Sequence, residues 1–367
     1  MPKKFAVPLI DLKAQYLSIK DEIDAAVARV LDKGNYVMGE EVEAFEEEFA
    51  RFCEARYCIG LSSCTDALYL ALITCADGST PGTRRVLTTP VSFYATTQAI
   101  MRSEDHPIFT DIGDDGNIDI TKAEADWDIA IPVHLYGQPA RIPLKSLRPV
   151  IEDSAQGHGL PLRGKVACFS FYPTKNLGGV GQAGALVTND TGIAGLCRRL
   201  REYGETQRFV YEHEPWRVGG NFRLDELQAA ILRVKLRYLL LWTNIRQCIA
   251  KMYRGRLSEV EDVIRIPDYD DCHTCHIFAI MTKDRDDLRA YLEKRGIQTS
   301  VRYPVPMHLQ PALRYLALKK GDFPKAEAWC NEVLTLPIYP EMTDEMVDTV
   351  ANAVIDWAQS HNFQPCA

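Results

Sequence analysis

Apolar residues near the start of the chain recur at helical spacing. Ile19, Ile23, Ala26, Val27, Val30 and Leu31 form one stripe, with Ser18 placed to cap its start and Gly34 to end it. Val42, Phe45, Phe49 and Phe52 form a second stripe. From Tyr57 the pattern changes to short apolar runs at Tyr57 to Leu61, Arg85 to Thr89, Pro107 to Thr110, Ile129 to Val133, Pro149 to Glu152, Val166 to Phe171 and Gly184 to Thr188. Several are almost continuously apolar, as strands covered on both faces must be. Helical or loop stretches separate most of them, so the pattern predicts an α/β fold with a seven-stranded, mostly parallel sheet flanked by helices. The interval Asp111 to Ala130 is too short for a full crossover helix.

Leu227, Ile231, Val234, Leu239 and Trp242 mark a long helix from Arg223 to about Arg256 that leads out of this unit. Beyond it a strand at His276 to Thr282, a helix at Asp286 to Arg295 closed by Gly296, a strand at Ile297 to Val301 and a helix around Thr343 to Gln359 predict a smaller C-terminal α/β domain. The expected division is a large domain over 1–250, including the N-terminal helices, and a small one over 251–367.

Length and composition agree with that picture: 367 residues with 46% hydrophobic content supply a large core. A net charge of −8 lacks the basic excess of a nucleic-acid binder. Met1 to Asp11 carries charge and two prolines where a signal peptide needs an apolar stretch, which predicts a cytoplasmic protein with no membrane contact. The eleven cysteines are then expected as thiols. Cys272, Cys275 and His276 spell the C-x-x-C-H pattern of haem attachment, and His273 would allow a zinc cluster, but no distant ligand pair accompanies them. They read as a loop entering a strand, and no metal is expected.

Candidate chemistry concentrates at strand ends. The run Val166 to Phe171 passes into Tyr172, Pro173, Thr174 and Lys175, followed by Gly178, Gly179 and Gly181. A lysine there can reach a molecule lying over the sheet edge, and its neutral amine can form a Schiff base with an aldehyde; alone, it would read as a surface lysine. Asp153 ends a neighbouring strand. A carboxylate that keeps a pyridine nitrogen protonated is the other requirement of pyridoxal 5'-phosphate (PLP) chemistry, so the pair favours that cofactor. Ser62, Ser63, Cys64, Thr65 and Asp66 stand between a strand and the helix Ala67 to Ala71, where they would either bind phosphate or simply cap the helix. Gly179, Gly181 and Gly184 also spell G-x-G-x-x-G, but they precede a strand instead of opening a helix, which argues against a nicotinamide oxidoreductase.

The chain resembles the DegT/DnrJ family of sugar aminotransferases, PLP enzymes of fold type I. The resemblance runs through Gly39 to Phe49, Thr65 to Leu68, PVHLYG (Pro132 to Gly137), IEDSAQGHG (Ile151 to Gly159), FSFYPTKNLG (Phe169 to Gly178), GNFRLDELQAA (Gly220 to Ala230) and Tyr303 to Pro311. It implies that Lys175 carries the Schiff base and acts as the proton-moving base, that Asp153 pairs with the pyridine nitrogen, and that Gln156 lies near the phenolic oxygen. It further implies Phe93 stacked on the ring, Thr65, Ser170 and the backbone of Cys64 at the phosphate, and Asn221 reaching that phosphate from the partner of a homodimer with shared active sites. Read locally, Asn221 would instead cap a helix. Cys64 stands where the family usually has glycine. Arg302 and His308, in VRYPVPMH, are expected on the substrate side, with a surface role for Arg302 as the alternative. The implied reaction moves an amino group from an amino-acid donor, usually glutamate in this family, to a nucleotide-linked keto sugar in amino-sugar biosynthesis. A 3-keto sugar is favoured over 4-keto sugars and aminocyclitols.

Overall fold

The computed structural model describes residues 5–75, 82–143 and 146–362. Three helices open it: α1 (Leu12–Ser18), α2 (Lys20–Lys33) and α3 (Glu40–Phe52). Ser18 does not cap α2. It is the last residue of α1, its hydroxyl bonded to the Gln15 carbonyl, and Asp11 caps α1 by accepting from the Ala14 N–H at 2.9 Å. Gly34 does end α2. The start of α3 is held from far along the chain, where the Glu226 carboxylate accepts the N–H groups of Gly39, Glu41 and Val42 at 2.8 to 3.0 Å. A negative charge at a helix N-terminus meets both the orphan donors and the helix dipole.

The central layer follows as β1 (Tyr57–Leu61), α4 (Cys64–Thr74), β2 (Arg85–Thr88), α5 (Ala95–Arg102), β3 (His106–Phe109), β4 (Ile129–Ile131), β5 (Ile151–Asp153), β6 (Val166–Ser170), β7 (Gly184–Thr188) and α6 (Thr191–Leu200). All seven expected strands are present, but they register as two sheets. One is a parallel three-stranded sheet in the order β3-β2-β4, and the other is a mixed four-stranded sheet in the order β1-β7-β6-β5. Parallel bridges at Ala130–Val150 and Val133–Asp153 connect β4 to β5. The mixture comes from β7, which runs antiparallel to both β1 and β6. A 3-10 turn at Ile120–Lys122 occupies the short crossover before β4. α4 is apolar nearly all round and correspondingly buried from Ala67 to Thr74.

A hairpin of β8 (Glu205–Gln207) and β9 (Val210–Tyr211) precedes α7 (Glu226–Leu236) and α8 (Leu239–Leu257). The single long helix expected here is therefore two, with a break at Arg237 and Tyr238. α8 links two cores: Leu239 and Trp242 join those under the N-terminal helices, while Ile249, Tyr253 and Leu257 join one built from Phe278, Leu288, Leu334, Val350 and Trp357. That last core is covered by the antiparallel pair β10 (Phe278–Met281) and β11 (Val333–Leu336), with α9 (Arg285–Lys294), α10 (Pro324–Glu332) and α11 (Asp344–Asn362) around it. Ile297 to Val301 is not a strand. It makes only isolated bridges, from Ile297 to Val7 and from Ser300 to Thr335. A shared core in which Leu87, Val91 and Leu135 meet Ile277, Ala279 and Val333 joins the two parts. No helix among the described residues is long and apolar enough to cross a membrane.

Candidate active site

The carboxyl ends of β5 and β6 deliver two of the expected residues to one edge, where open α/β sheets characteristically bind ligands. Asp153 is the last residue of β5 and is buried. Its Oδ2 accepts from the Thr96 hydroxyl at 2.7 Å and its Oδ1 from the Ala155 N–H at 3.1 Å. Burial raises the carboxyl above its ordinary range, and these two bonds with the nearby Lys175 charge pull it back. Thr96 is itself held by Ser92, hydroxyl to hydroxyl at 2.8 Å. Sequence reasoning missed Thr96; its one signal is a hydroxyl on the buried face of α5.

Lys175 sits in the turn after β6, its N–H bonded to the Tyr172 carbonyl at 2.8 Å. The turn is tight enough to require glycine at 178, where a Cβ would lie 2.3 Å from the Pro173 carbonyl oxygen. Two side chains of α7 clamp the glycine-rich end of this loop: Lys235 Nζ donates to the Gly178 carbonyl at 2.7 Å, and Gln228 Oε1 accepts the Val180 N–H at 2.9 Å. Neither was singled out from the sequence. Burial lowers the Lys175 ammonium to about 8, against the opposing influence of Asp153. A substantial fraction of its amine is therefore neutral near physiological pH, the form that attacks an aldehyde.

The α4 N-terminus lies against the same edge. Gly184, the register partner of both Ser170 and Leu61, approaches so closely that a Cβ would stand 2.3 Å from the Ser63 carbonyl carbon and 2.5 Å from the Cys64 nitrogen. Ser170 is thus one strand away from a backbone contact with the Ser63 turn. Ser63 caps α4 by accepting the Asp66 N–H at 3.1 Å. Among the described residues the N–H groups of Cys64 and Thr65 have no hydrogen-bond partner, and orphan donors at a helix N-terminus suit phosphate. The Cys64 thiol is buried near Asp153 and Lys175, and burial raises it well above the ordinary thiol range, which disfavours the thiolate.

Phe93 is 63% exposed just before α5, an aromatic face open to a ring. It lies 6.2 Å from the Tyr303 ring. The Tyr303 hydroxyl in turn accepts from Gln156 Nε2 at 3.1 Å, and Gln156 Oε1 accepts the Tyr136 N–H. Gln156 thus keeps one amide N–H for a ligand. The role of Tyr303 as its partner was not apparent from the sequence. These residues fit PLP: an amine of lowered pKa, a buried carboxylate, an open aromatic face and a set of phosphate donors.

Of the remaining expected residues, Arg302 stands close enough for its charge to act on the Lys175 ammonium, whereas the contacts of His308 and Asn221 lie elsewhere. Arg302 lines a small cavity with Thr174, Arg246 and His276, and its carbonyl accepts from the Tyr136 hydroxyl. His308 is buried, its Nε2 3.1 Å from Glu327 Oε1 and its ring 4.8 Å from Phe323, so its bonds face α10. Asn221 is exposed, in an isolated bridge with Glu202. Cys272 to His276 form the loop before β10, with His276 Nδ1 3.1 Å from Asn176 Oδ1.

Residues 17–355 match the DegT/DnrJ/EryC1/StrS aminotransferase family. The dTDP-3-amino-3,4,6-trideoxy-alpha-D-glucose transaminase of Streptomyces venezuelae is 40% identical, with 96% of each chain covered. Among solved structures, S. venezuelae DesV in complex with a ketimine intermediate superposes with a TM-score of 0.89 at 37% identity, covering 97% of this chain and 99% of that one. Bacillus subtilis NtdA with bound PMP gives 0.86 at 29% identity, covering 97% of this chain and 86% of that one.

Proposed function

The chain belongs to the DegT/DnrJ/EryC1/StrS aminotransferase family, and on that premise we propose that it aminates a nucleotide-linked 3-keto sugar with glutamate as donor. PLP is the cofactor of the family, and when bound it supplies the electron sink for the carbon at which the amino group is exchanged. The observation that carries this reading is the pairing of Lys175, its amine lowered to about 8, with the buried Asp153.

Each residue then has a definite task. Lys175 Nζ would hold the cofactor and would serve as the base that moves a proton at the substrate carbon. Asp153, kept in place by Thr96 and Ala155, supplies negative charge to the ring nitrogen. Phe93 would cover the ring, Gln156 would serve the phenolic oxygen, and Thr65, Ser170 and the Cys64 backbone would hold the phosphate. The partner's Asn221 completes that phosphate site in a homodimer. Arg302 and His308 belong to the substrate side, where a cation offsets the repulsion between a chain of net charge −8 and an anionic sugar nucleotide. The enzyme is cytoplasmic, with a domain division near residue 250. Amination at carbon 3 draws its support from the S. venezuelae relative.

The test is to incubate the PLP form with glutamate, then with dTDP- and UDP-linked 3-keto and 4-keto sugars, and follow products by mass spectrometry. The amine of a 3-keto sugar is the expected product. Amination of 4-keto sugars alone overturns the position, and no amination overturns the activity. Mixing inactive Lys175→Ala and Asn221→Ala subunits tests the shared site: activity should return, because some mixed dimers hold one intact site.

A further inference from the structure

The loop before β10 carries the C-x-x-C-H motif, and its hydrogen bonds run to the segments around Lys175 and Gln156. Thr274 and His276 are buried in it. Asn176 Nδ2 donates to the Thr274 carbonyl at 2.9 Å, and Asn176 Oδ1 lies 3.1 Å from His276 Nδ1. A carbonyl can only accept, which turns the amide nitrogen toward Thr274 and leaves Oδ1 to accept the His276 Nδ1–H. Asn176 is itself buried and follows Lys175 directly. Thr274 Oγ1 donates to the Gln156 carbonyl at 2.8 Å, and the Thr274 N–H donates to the Gly137 carbonyl at 3.0 Å. The Ile277 N–H donates to the Tyr136 carbonyl at 3.2 Å, and the Tyr136 N–H is the one that Gln156 Oε1 accepts. The approach is close: a Cβ at Gly137 would stand 2.1 Å from Thr274 Oγ1 and 3.0 Å from the Gln156 carbonyl oxygen.

We propose that this loop is a strap for the cofactor residues, in which Asn176 positions Lys175 and Thr274 positions Gln156. The Lys175 N–H is tied to the Tyr172 carbonyl on one side of the turn, and the buried Asn176 amide ties the other. A lysine pinned on both sides presents its amine in fewer orientations, which capture of an aldehyde and proton transfer at one carbon both require. Apolar contact alone would join the loop to the sheet. These bonds are instead buried and directional, and they end on residues at or next to the cofactor contacts. The assignment rests on the aminotransferase reading above and adds two positioning residues to it.

Asn176→Ala releases the Lys175 turn, Thr274→Val releases Gln156, and Thr274→Ser keeps the hydroxyl. Cofactor-free Asn176→Ala should capture PLP about tenfold more slowly than wild type, and kcat of the loaded enzyme should fall about as much with the glutamate KM little changed. Thr274→Val should lower kcat about tenfold and shift the visible absorbance of bound PLP, and Thr274→Ser should restore both. The Thr274 pair decides if Asn176→Ala does not fold. Capture rate and kcat within about twofold of wild type in the folded variants, even at a lowered Tm, would make the loop a structural joint and overturn the proposal. Equal impairment of Thr274→Val and Thr274→Ser overturns it as well, since packing and not the hydroxyl would then matter. Slowed PLP capture by Asn176→Ala without transamination by wild type would sink the aminotransferase reading and leave the strap standing.

Discussion

The two sets of candidate residues are built differently. Asp153 and Ser170 are strand residues, and Lys175 follows one of those strands by a turn that α7 clamps through Lys235 and Gln228. Arg302 and His308 lie between α9 and α10, in a stretch whose helical parts are the short 3-10 turns Met307–Leu309 and Pro311–Leu316. A hydrogen-bonded ladder fixes the first set to within the tolerance that proton transfer needs, whereas loop residues can shift without disturbing the sheet. On the proposed assignment, cofactor chemistry rests on the sheet and substrate choice on the loops, so substitutions in the two sets should fail in different ways.

The largest effect is expected from Asp153→Asn. An amide cannot supply the charge that Asp153 offers, so turnover should fall by about 100- to 1,000-fold while the cofactor stays bound. Absorbance and steady-state kinetics measure both quantities, and near-normal turnover would show that another carboxylate serves.

Next comes pH. With Lys175 lowered to about 8, the neutral amine fraction rises about 90-fold between pH 6 and pH 9. The rate of PLP capture by the cofactor-free protein should climb over that window with a midpoint near 8. A rate still rising in proportion to hydroxide above pH 9 would mean that the lysine is not shifted.

Thr96→Val should cost about tenfold in turnover, the worth of one hydrogen bond to a charged group. Its sign is specific. Removing a bond that favours the charged carboxylate raises the Asp153 pKa further, so the acid limb of the pH profile should move to higher pH. A drop in turnover with an unmoved profile would make Thr96 merely structural. The smallest effect belongs to the loop side: Arg302→Ala should raise the KM for the sugar about fivefold with kcat little changed. An unchanged KM removes Arg302 from the sugar site.

The same contrast explains what was legible in the sequence. Buried strands announce themselves as apolar runs, and Lys175 and Asp153 stand out because each follows such a run. Division of the strands into two sheets was not legible, because the short β4 and β5 meet only through bridges. The break between α7 and α8 has no proline or glycine to mark it, so the periodicity reads straight through Arg237 and Tyr238. Ile297 to Val301 has a strand's composition, but only Ile297 and Ser300 make bridges, and those are isolated. Thr96 and Thr274 were missed for a different reason. Their partners, Asp153 and Gln156, lie far along the chain, and only the folded geometry joins them.

The central claim is that Lys175 holds the cofactor. Reduction of the purified PLP-loaded protein with borohydride, followed by peptide mapping, tests it most directly. The yellow absorbance should bleach and the reduced pyridoxyl group should appear on the peptide containing Lys175. A protein that stays colourless with added PLP, or a label on any other lysine such as Lys235, would contradict the account.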